Sequence, residues 1–378
     1  MDRPLGFAWD AREIVRAPRR ALDPSSALLG AVGCILVLAI LAACTYVGIL
    51  VDGRLPVGYV WSRLGLFPWL YDFRLSAGGS FARSAGAVMA LGVMIYALVA
   101  MAKVAYRRLK GDDSFAFREA TRHAMRRGHA VVTALSLLAA GALGLILAGL
   151  VISYAARLPG VGEIILAVAL IPGVGASLAV ILLMVAAMGT AVLGPAAVGT
   201  LDDDWLDTLI HVGAIMWGQT GRWVVYELLA AGMTLFGGCL AAAILVGALT
   251  MALGLLGVFV PGTIIGTVLV ASRQVPGLHW GLFWFAPEAF PPLALTPGMY
   301  VAGATLTLAV VLVAALAAGY TLSVWATAQT LIYVLLRKRH LGQNILERQD
   351  DIDRLRSLAA RAEADVLLEI ESKRKERA

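Results

Sequence analysis

The fold is decided by residues 222–271, which read RWVVYELLAAGMTLFGGCLAAAILVGALTMALGLLGVFVPGTIIGTVLVA. After Arg222, the only acid or base in this stretch is Glu227. One crossing of the hydrocarbon core of a bilayer needs about 20 apolar residues. The stretch therefore holds one crossing with a large surplus, or two, and it predicts a membrane protein.

The composition of the whole chain supports the same class. Of its 378 residues, 60% are hydrophobic and 15% are charged, whereas soluble domains have roughly 25% charged residues. The formal net charge of +6 does not indicate nucleic-acid binding, because Lys and Arg cluster beside the ends of apolar runs. The cysteines Cys34, Cys44 and Cys239 lie inside apolar runs, so neither a disulfide framework nor a metal site is expected.

Six apolar runs are long enough to cross a bilayer, and they predict an all-α polytopic integral membrane protein with six transmembrane helices. The predicted spans are residues 26–51, 84–105, 130–155, 164–198, 223–258 and 300–336. The fifth span is followed by a re-entrant or interfacial remainder that ends at residue 271. The transmembrane domain, residues 26–336, lies between a leader, residues 1–25, and a charged tail, residues 337–378.

The distribution of positive charge predicts the orientation of the chain, because Lys and Arg favour the cytoplasmic side. They are concentrated in the leader, in residues 103–127 with eight Lys and Arg, and at Arg337-Lys338-Arg339. Six crossings place all three groups in the cytoplasm, so residues 223–271 are counted as one crossing. Both termini are predicted to lie on the cytoplasmic side of the cell membrane. Four arginines within residues 52–83 count against this topology, though less strongly.

Amphipathic segments precede three of the spans, at residues 5–20, 115–127 and 200–222. Basic residues with apolar and aromatic neighbours are typical of a helix that lies in the plane of the membrane. We therefore expect three hairpins, each preceded by an in-plane amphipathic helix. The third segment opens with aspartates, interpreted as N-cap and first-turn charges. These are Asp202, Asp203, Asp204 and Asp207.

Two long apolar runs carry a proline–glycine pair, Pro172-Gly173 and Pro261-Gly262. Interrupted hydrophobic segments can expose backbone groups that hold a solute, as in transporters. The alternative, which the frequency of Pro and Gly in membrane helices favours, is a kink that neighbouring helices satisfy. Glu227 also has two possible interpretations. It is either a gate or coupling carboxylate on a solute path, or a partly hydrated carboxylate that reaches toward the membrane surface.

Small residues recur at every fourth position of the third span, at Ser136, Ala140, Gly144 and Ala148. Such an array lets two helix backbones approach closely in lipid. It predicts a helix-packing seam, used either between two copies of the chain or inside one copy. Packing inside one copy is favoured, because a protein with six spans has many internal helix contacts to make.

Catalysis is not predicted. The chain has no H-E-x-x-H zinc motif, no G-x-S-x-G elbow, no Walker loop and no dinucleotide fingerprint. Its five histidines are scattered, and intramembrane chemistry usually needs ionisable residues within the spans. No catalytic residue, cofactor or metal ligand is therefore assigned.

Two functions remain open. The first is a non-catalytic scaffold or accessory subunit of a membrane complex, which contacts lipids and other proteins, the latter through the charged helix of residues 343–378. A homo-oligomer is part of this expectation. The second is a permease, or a transporter of lipids or apolar solutes, with its path near the proline–glycine pairs. The scaffold is favoured, because a path for polar solutes needs polar residues at mid-membrane and the sequence has almost none.

Overall fold

The computed structural model describes residues 9–65, 67–112, 117–158, 160–258, 268, 296–342 and 344–347. All regular secondary structure in these ranges is helical. The α-helices are α1 Arg12–Val15, α2 Ala17–Arg20, α3 Pro24–Asp52, α4 Val57–Leu64, α5 Ala77–Leu109, α6 Phe117–Arg127, α7 His129–Ala155, α8 Gly162–Leu201, α9 Trp205–Gly218, α10 Thr220–Gly257 and α11 Pro297–Leu341. Short 3-10 turns occupy Pro68–Leu70 and Ile345–Glu347.

Six of these helices, α3, α5, α7, α8, α10 and α11, are long and apolar enough to cross a membrane. This confirms the all-helical class and the prediction of six helices with the length and apolarity of membrane spans. The helices extend beyond the predicted limits: α5 begins at Ala77 rather than at residue 84, and α11 continues to Leu341. Both gain a polar or charged turn at an end. Hydropathy alone does not count such turns, although backbone hydrogen bonding continues through them.

The densest packing lies at one end of the bundle, where α5, α8 and α11 all end. Residues 331–336 of α11 are at most 1% exposed, and they pack in one cluster with Tyr106 and Leu193. The halves of α7 and α8 that lie farther from this end, where α7 ends and α8 begins, are mostly exposed, with large apolar side chains pointing outward. A helix with apolar side chains on its outer surface requires an apolar solvent, so this asymmetry agrees with a bundle whose outer surface meets lipid.

Glycines set the closest approach between α3 and α11. A Cβ atom at Gly30 would lie 2.4 Å from the carbonyl oxygen of Gly319. A second pair, Gly48 and Gly79, brings α3 and α5 together in the same way, with a Cβ at either glycine 2.7 Å from the carbonyl oxygen of the other. The backbones of these helices therefore touch directly, as small residues allow in membrane bundles.

The interruption considered as one alternative at Pro172-Gly173 does not form, because α8 runs from Gly162 to Leu201 with Pro172 and Pro195 inside it. A proline removes one backbone donor. The remaining hydrogen bonds are kept because unpaired backbone groups are costly away from water. The second pair, Pro261-Gly262, lies outside the described residues, as does the predicted remainder of residues 259–271 except for position 268.

The leader differs from the single amphipathic helix predicted for it. Residues 12–20 form two short helices, α1 and α2, which pack on α10 and α11. The hydroxyl of Tyr320 donates to the carbonyl of Pro18 at 2.8 Å, and the hydroxyl of Ser323 donates to the carbonyl of Ala21 at 3.3 Å. The first described segment of the chain is therefore held by the last long helix.

The second and third amphipathic segments form α6 and α9. Only Gly128 separates α6 from α7; its backbone is right-handed helical and its N–H bonds to the carbonyl of Ala124 at 2.7 Å. Asp204 is the N-cap of α9 and Asp207 lies in its first turn, as predicted, but the side chain of Asp204 makes no capping hydrogen bond. The in-plane orientation of these helices stays a prediction. Of the charged tail, the structure describes residues 337–342 and 344–347.

Candidate functional site

Glu227 lies two turns into α10, and both of its carboxylate oxygens are hydrogen-bonded. The indole N–H of Trp223, one turn earlier, donates to Oε1 at 2.9 Å. The amide Nε2 of Gln329, on α11, donates to Oε2 at 2.7 Å. Because Gln329 is only 2% exposed, this hydrogen bond joins α10 to α11 inside the protein. The carboxylate is held by protein donors instead of extending to water.

A cavity of about 300 Å³ lies beside Glu227, between α8, α10 and α11. Its walls are mainly apolar, and two indole rings border it. The residues that define it include Met188, Val192, Trp223, Leu228, Ala231 and Trp325. A concave site with an apolar lining is typical of a pocket for a small apolar molecule.

Among the other residues predicted for a solute path, Pro172 and Gly173 do not line this cavity, and Pro261 and Gly262 lie outside the described residues. Gly173 lines a separate cleft of about 790 Å³ between the exposed halves of α7 and α8. Met188, which borders the Glu227 cavity, is fifteen residues further along α8, a distance of about 22 Å along the helix axis. Among the described residues, Glu227 and Gly173 therefore do not belong to one path.

The small-residue seam of α7, defined as Ser136, Ala140, Gly144 and Ala148, faces outward along its whole length. All four residues are exposed. A Cβ atom at Gly144 would meet no atom within 4 Å. Packing inside one copy, which the sequence favours, does not occupy this face anywhere in the described part of the chain.

A cluster that the sequence analysis missed lies in the turn between α8 and α9. Asp202 ends α8 in a left-handed backbone conformation, with φ of 59°. Its carboxylate accepts a hydrogen bond of 2.9 Å from the ammonium of Lys103, which is fully buried on α5. His123 of α6 places Nε2 3.4 Å from the same oxygen, within ion-pair distance although not aligned as a hydrogen bond.

The next residue, Asp203, begins a second chain of contacts. Its carboxylate lies 2.7 Å from Nδ1 of His211 on α9, and Nε2 of His211 lies 3.4 Å from the guanidinium of Arg337 on α11. Arg337 also donates to the hydroxyl of Tyr333 at 2.7 Å. Burial raises the pKa of Asp203, and the adjacent His211 and Arg337 oppose that rise.

Asp204 completes the cluster through a 2.9 Å ion pair with Arg127 at the end of α6. Three consecutive carboxylates thus fasten α5, α6, α9 and α11 to a single turn. We call these residues, 202–204, the aspartate turn. One sequence signal could have found it: a run of three acids in a chain where acids are scarce, flanked by two helix ends. The histidines described as scattered include two that meet this turn.

The chemistry available at the aspartate turn is that of a structural clamp. Its oxygens are engaged by a Lys, an Arg and two His side chains that come from other helices. Within the ranges that the structure describes, no group of three or more His, Cys, Asp and Glu side chains is placed to hold a metal ion. The cavity found beside an ionisable side chain is the one at Glu227.

Comparison with known proteins identifies no relative: no family model matches the chain, and no curated protein or solved structure is similar to it.

Proposed function

We propose that the protein is a non-catalytic scaffold or accessory subunit of a membrane complex, and that it assembles through the seam of α7. The first partner that this surface fits is a second copy of the same helix. Two faces of small residues can approach until their backbones touch, which gives extensive van der Waals contact without any polar group.

The observation that carries this proposal is that all four small residues of the α7 seam are exposed, whereas other small residues pack inside the protein. Gly30 and Gly319 lie against neighbouring backbone inside the protein, whereas Gly144 faces open space. Glycine in a helix costs about 1 kcal/mol relative to alanine. The internal glycines offset that cost through the helix contacts that they permit, and a partner helix would provide the same compensation at Gly144.

The test is the mass of the purified protein in mild detergent or nanodiscs, measured by light scattering across a range of concentrations. Gly144→Leu, or Ala148→Leu one turn later, should weaken self-association by at least about tenfold, because the larger side chain holds the backbones apart. Gly175→Leu is the matched control, since Gly175 is also exposed, helical and without neighbours. A wild-type protein that is monomeric at every concentration would contradict the proposal, as would an equal effect of the control.

A second candidate, transport or binding of a lipid or apolar solute, is supported by the cavity at Glu227. Ala231→Trp would fill this cavity, and Gly247→Trp places the same side chain on α10 where no atom lies within 4 Å. Transfer of a fluorescent lipid in proteoliposomes should be lost in the first variant and kept in the second. If both variants transfer lipid at the wild-type rate, or if the wild type transfers none, this candidate fails.

A further inference from the structure

The outer face of α6 carries a row of exposed arginines, Arg118, Arg122 and Arg126, each about one helical turn from the next. Within the described residues, no ion pair is formed by any of the three, although Glu119 is exposed on the same helix. Like charges at this spacing repel one another. The row is therefore a concentrated patch of unneutralised positive charge.

Two acids of the aspartate turn lie on the other side of α6. Arg127 is paired with Asp204, and His123 faces Asp202. The buried face of α6 consists of Ala120 and Ala124. The inner side of α6 is thus neutralised and packed, and the outer side is left to a partner from outside the described protein.

The depth of the row indicates what that partner is. Ala120 and Ala124 pack in one cluster with Leu29, which lies in the second turn of α3. The row therefore stands beside the first turns of a membrane-crossing helix, at the level where lipid phosphates lie. Met125, among the arginines, is 68% exposed, and an exposed apolar side chain suits the boundary between headgroups and acyl chains better than an aqueous surface.

We propose that Arg118, Arg122 and Arg126 form a binding site for the phosphate groups of anionic phospholipids in the leaflet that surrounds α6. A guanidinium offers a planar pair of N–H donors that matches a phosphate in bidentate geometry. Three of them along one face can bind neighbouring headgroups together, and anionic headgroups would relieve the repulsion within the row. The inference is independent of the seam on α7 and of the cavity at Glu227.

The experiment uses the full chain in nanodiscs that contain phosphatidylglycerol and phosphatidylcholine in equal amounts, with the retained lipids identified by native mass spectrometry. Wild type should retain phosphatidylglycerol selectively. The triple variant Arg118→Gln, Arg122→Gln, Arg126→Gln should lower that preference by about tenfold or more. Excess inorganic phosphate should not displace the lipid, because the site binds phosphate in the context of the bilayer surface.

The control removes the same number of charges at the opposite end of the bundle, through Arg54→Gln, Arg74→Gln and Arg157→Gln, all at exposed positions. It should keep the wild-type preference. Thermal unfolding of each variant establishes that the bundle is intact, and single substitutions in the row should give partial losses if the triple variant does not fold. The proposal is overturned if wild type shows no preference for phosphatidylglycerol, if the row variant keeps it, if the control loses as much, or if inorganic phosphate displaces the lipid.

Discussion

Asp202 combines two roles at the residue scale: its backbone ends α8 and its carboxylate neutralises a buried cation. Asn adopts the left-handed conformation as readily as Asp, so Asp202→Asn removes the charge while keeping the turn. The ammonium of Lys103, fully buried, then loses the carboxylate that lies 2.9 Å away. We expect the free energy of unfolding to fall by about 3 kcal/mol, measured by unfolding in mixed micelles. Asp207→Asn, at an exposed acid of α9, should change it by less than about 1 kcal/mol.

Asp203 gives the protein a pH dependence of defined sign. Burial raises its folded-state pKa above the ordinary value of 3.8, so the folded state holds a proton at pH values where the unfolded state has lost it. The contribution of this group to stability is fully present below the ordinary pKa and declines as pH rises through the raised one. Asp203→Asn should remove that decline. Melting temperatures of both proteins from pH 4 to 7 provide the measurement; parallel curves would contradict the assignment.

The site residues differ in how far the sequence could predict them. Glu227 stands out because it is the one acid in a long apolar run, and Trp223 follows from helical spacing of four residues. Gln329 could not be predicted as its partner, since it lies 102 residues away in sequence. The aspartate turn was interpreted by a local rule, helix capping, whereas its carboxylates contact residues of other helices. Local patterns do not contain that information.

At the scale of elements, the contact between α3 and α11 depends on two glycines that admit no side chain. Gly30→Val would place carbon atoms where the carbonyl of Gly319 already lies, 2.4 Å from an ideal Cβ. The helices must separate, and we expect a loss of about 3 kcal/mol in unfolding free energy. Gly175→Val, at a glycine with no atom within 4 Å, is the control and should leave stability nearly unchanged. An unaffected Gly30→Val variant would show that α3 and α11 do not touch there.

At this scale, the sequence predicts which segments form helices. The predicted span, residues 130–155, differs by one residue from α7, His129–Ala155. The agreement is close because the length of an apolar run determines where a membrane helix begins and ends. Of the two interpretations of Pro172-Gly173, the structure shows a continuous helix and not an interrupted segment, because unpaired backbone groups are costly in lipid. Whether the seam of α7 faces inward or outward depends on the arrangement of all the helices, which no single segment specifies.

On the scale of the whole molecule, the two ends of the described chain meet at one end of the bundle. The ammonium of Lys338 lies 3.2 Å from the centroid of the Trp9 ring, and Arg339 is 3.3 Å from the carboxylate of Asp10. In a cysteine-free background, Asp10→Cys and Glu347→Cys should therefore behave alike toward a membrane-impermeant maleimide in intact cells. Arg54→Cys, at the opposite end, should behave oppositely. Labelling of only one terminus would refute a bundle of six crossings.

The path of the leader bears on how the protein is made. Pro18 and Ala21 accept hydrogen bonds from Tyr320 and Ser323, which follow them by 302 residues and leave the ribosome much later. The leader must therefore wait for α11 before it can pack, so this contact forms only after α11 has been inserted. A nascent chain stopped before residue 297 lacks α11, and its leader is therefore expected to be exposed to quality-control proteases. Pulse-labelled truncated chains should then be degraded faster than full-length ones. Equal lifetimes would show that maturation does not depend on this contact.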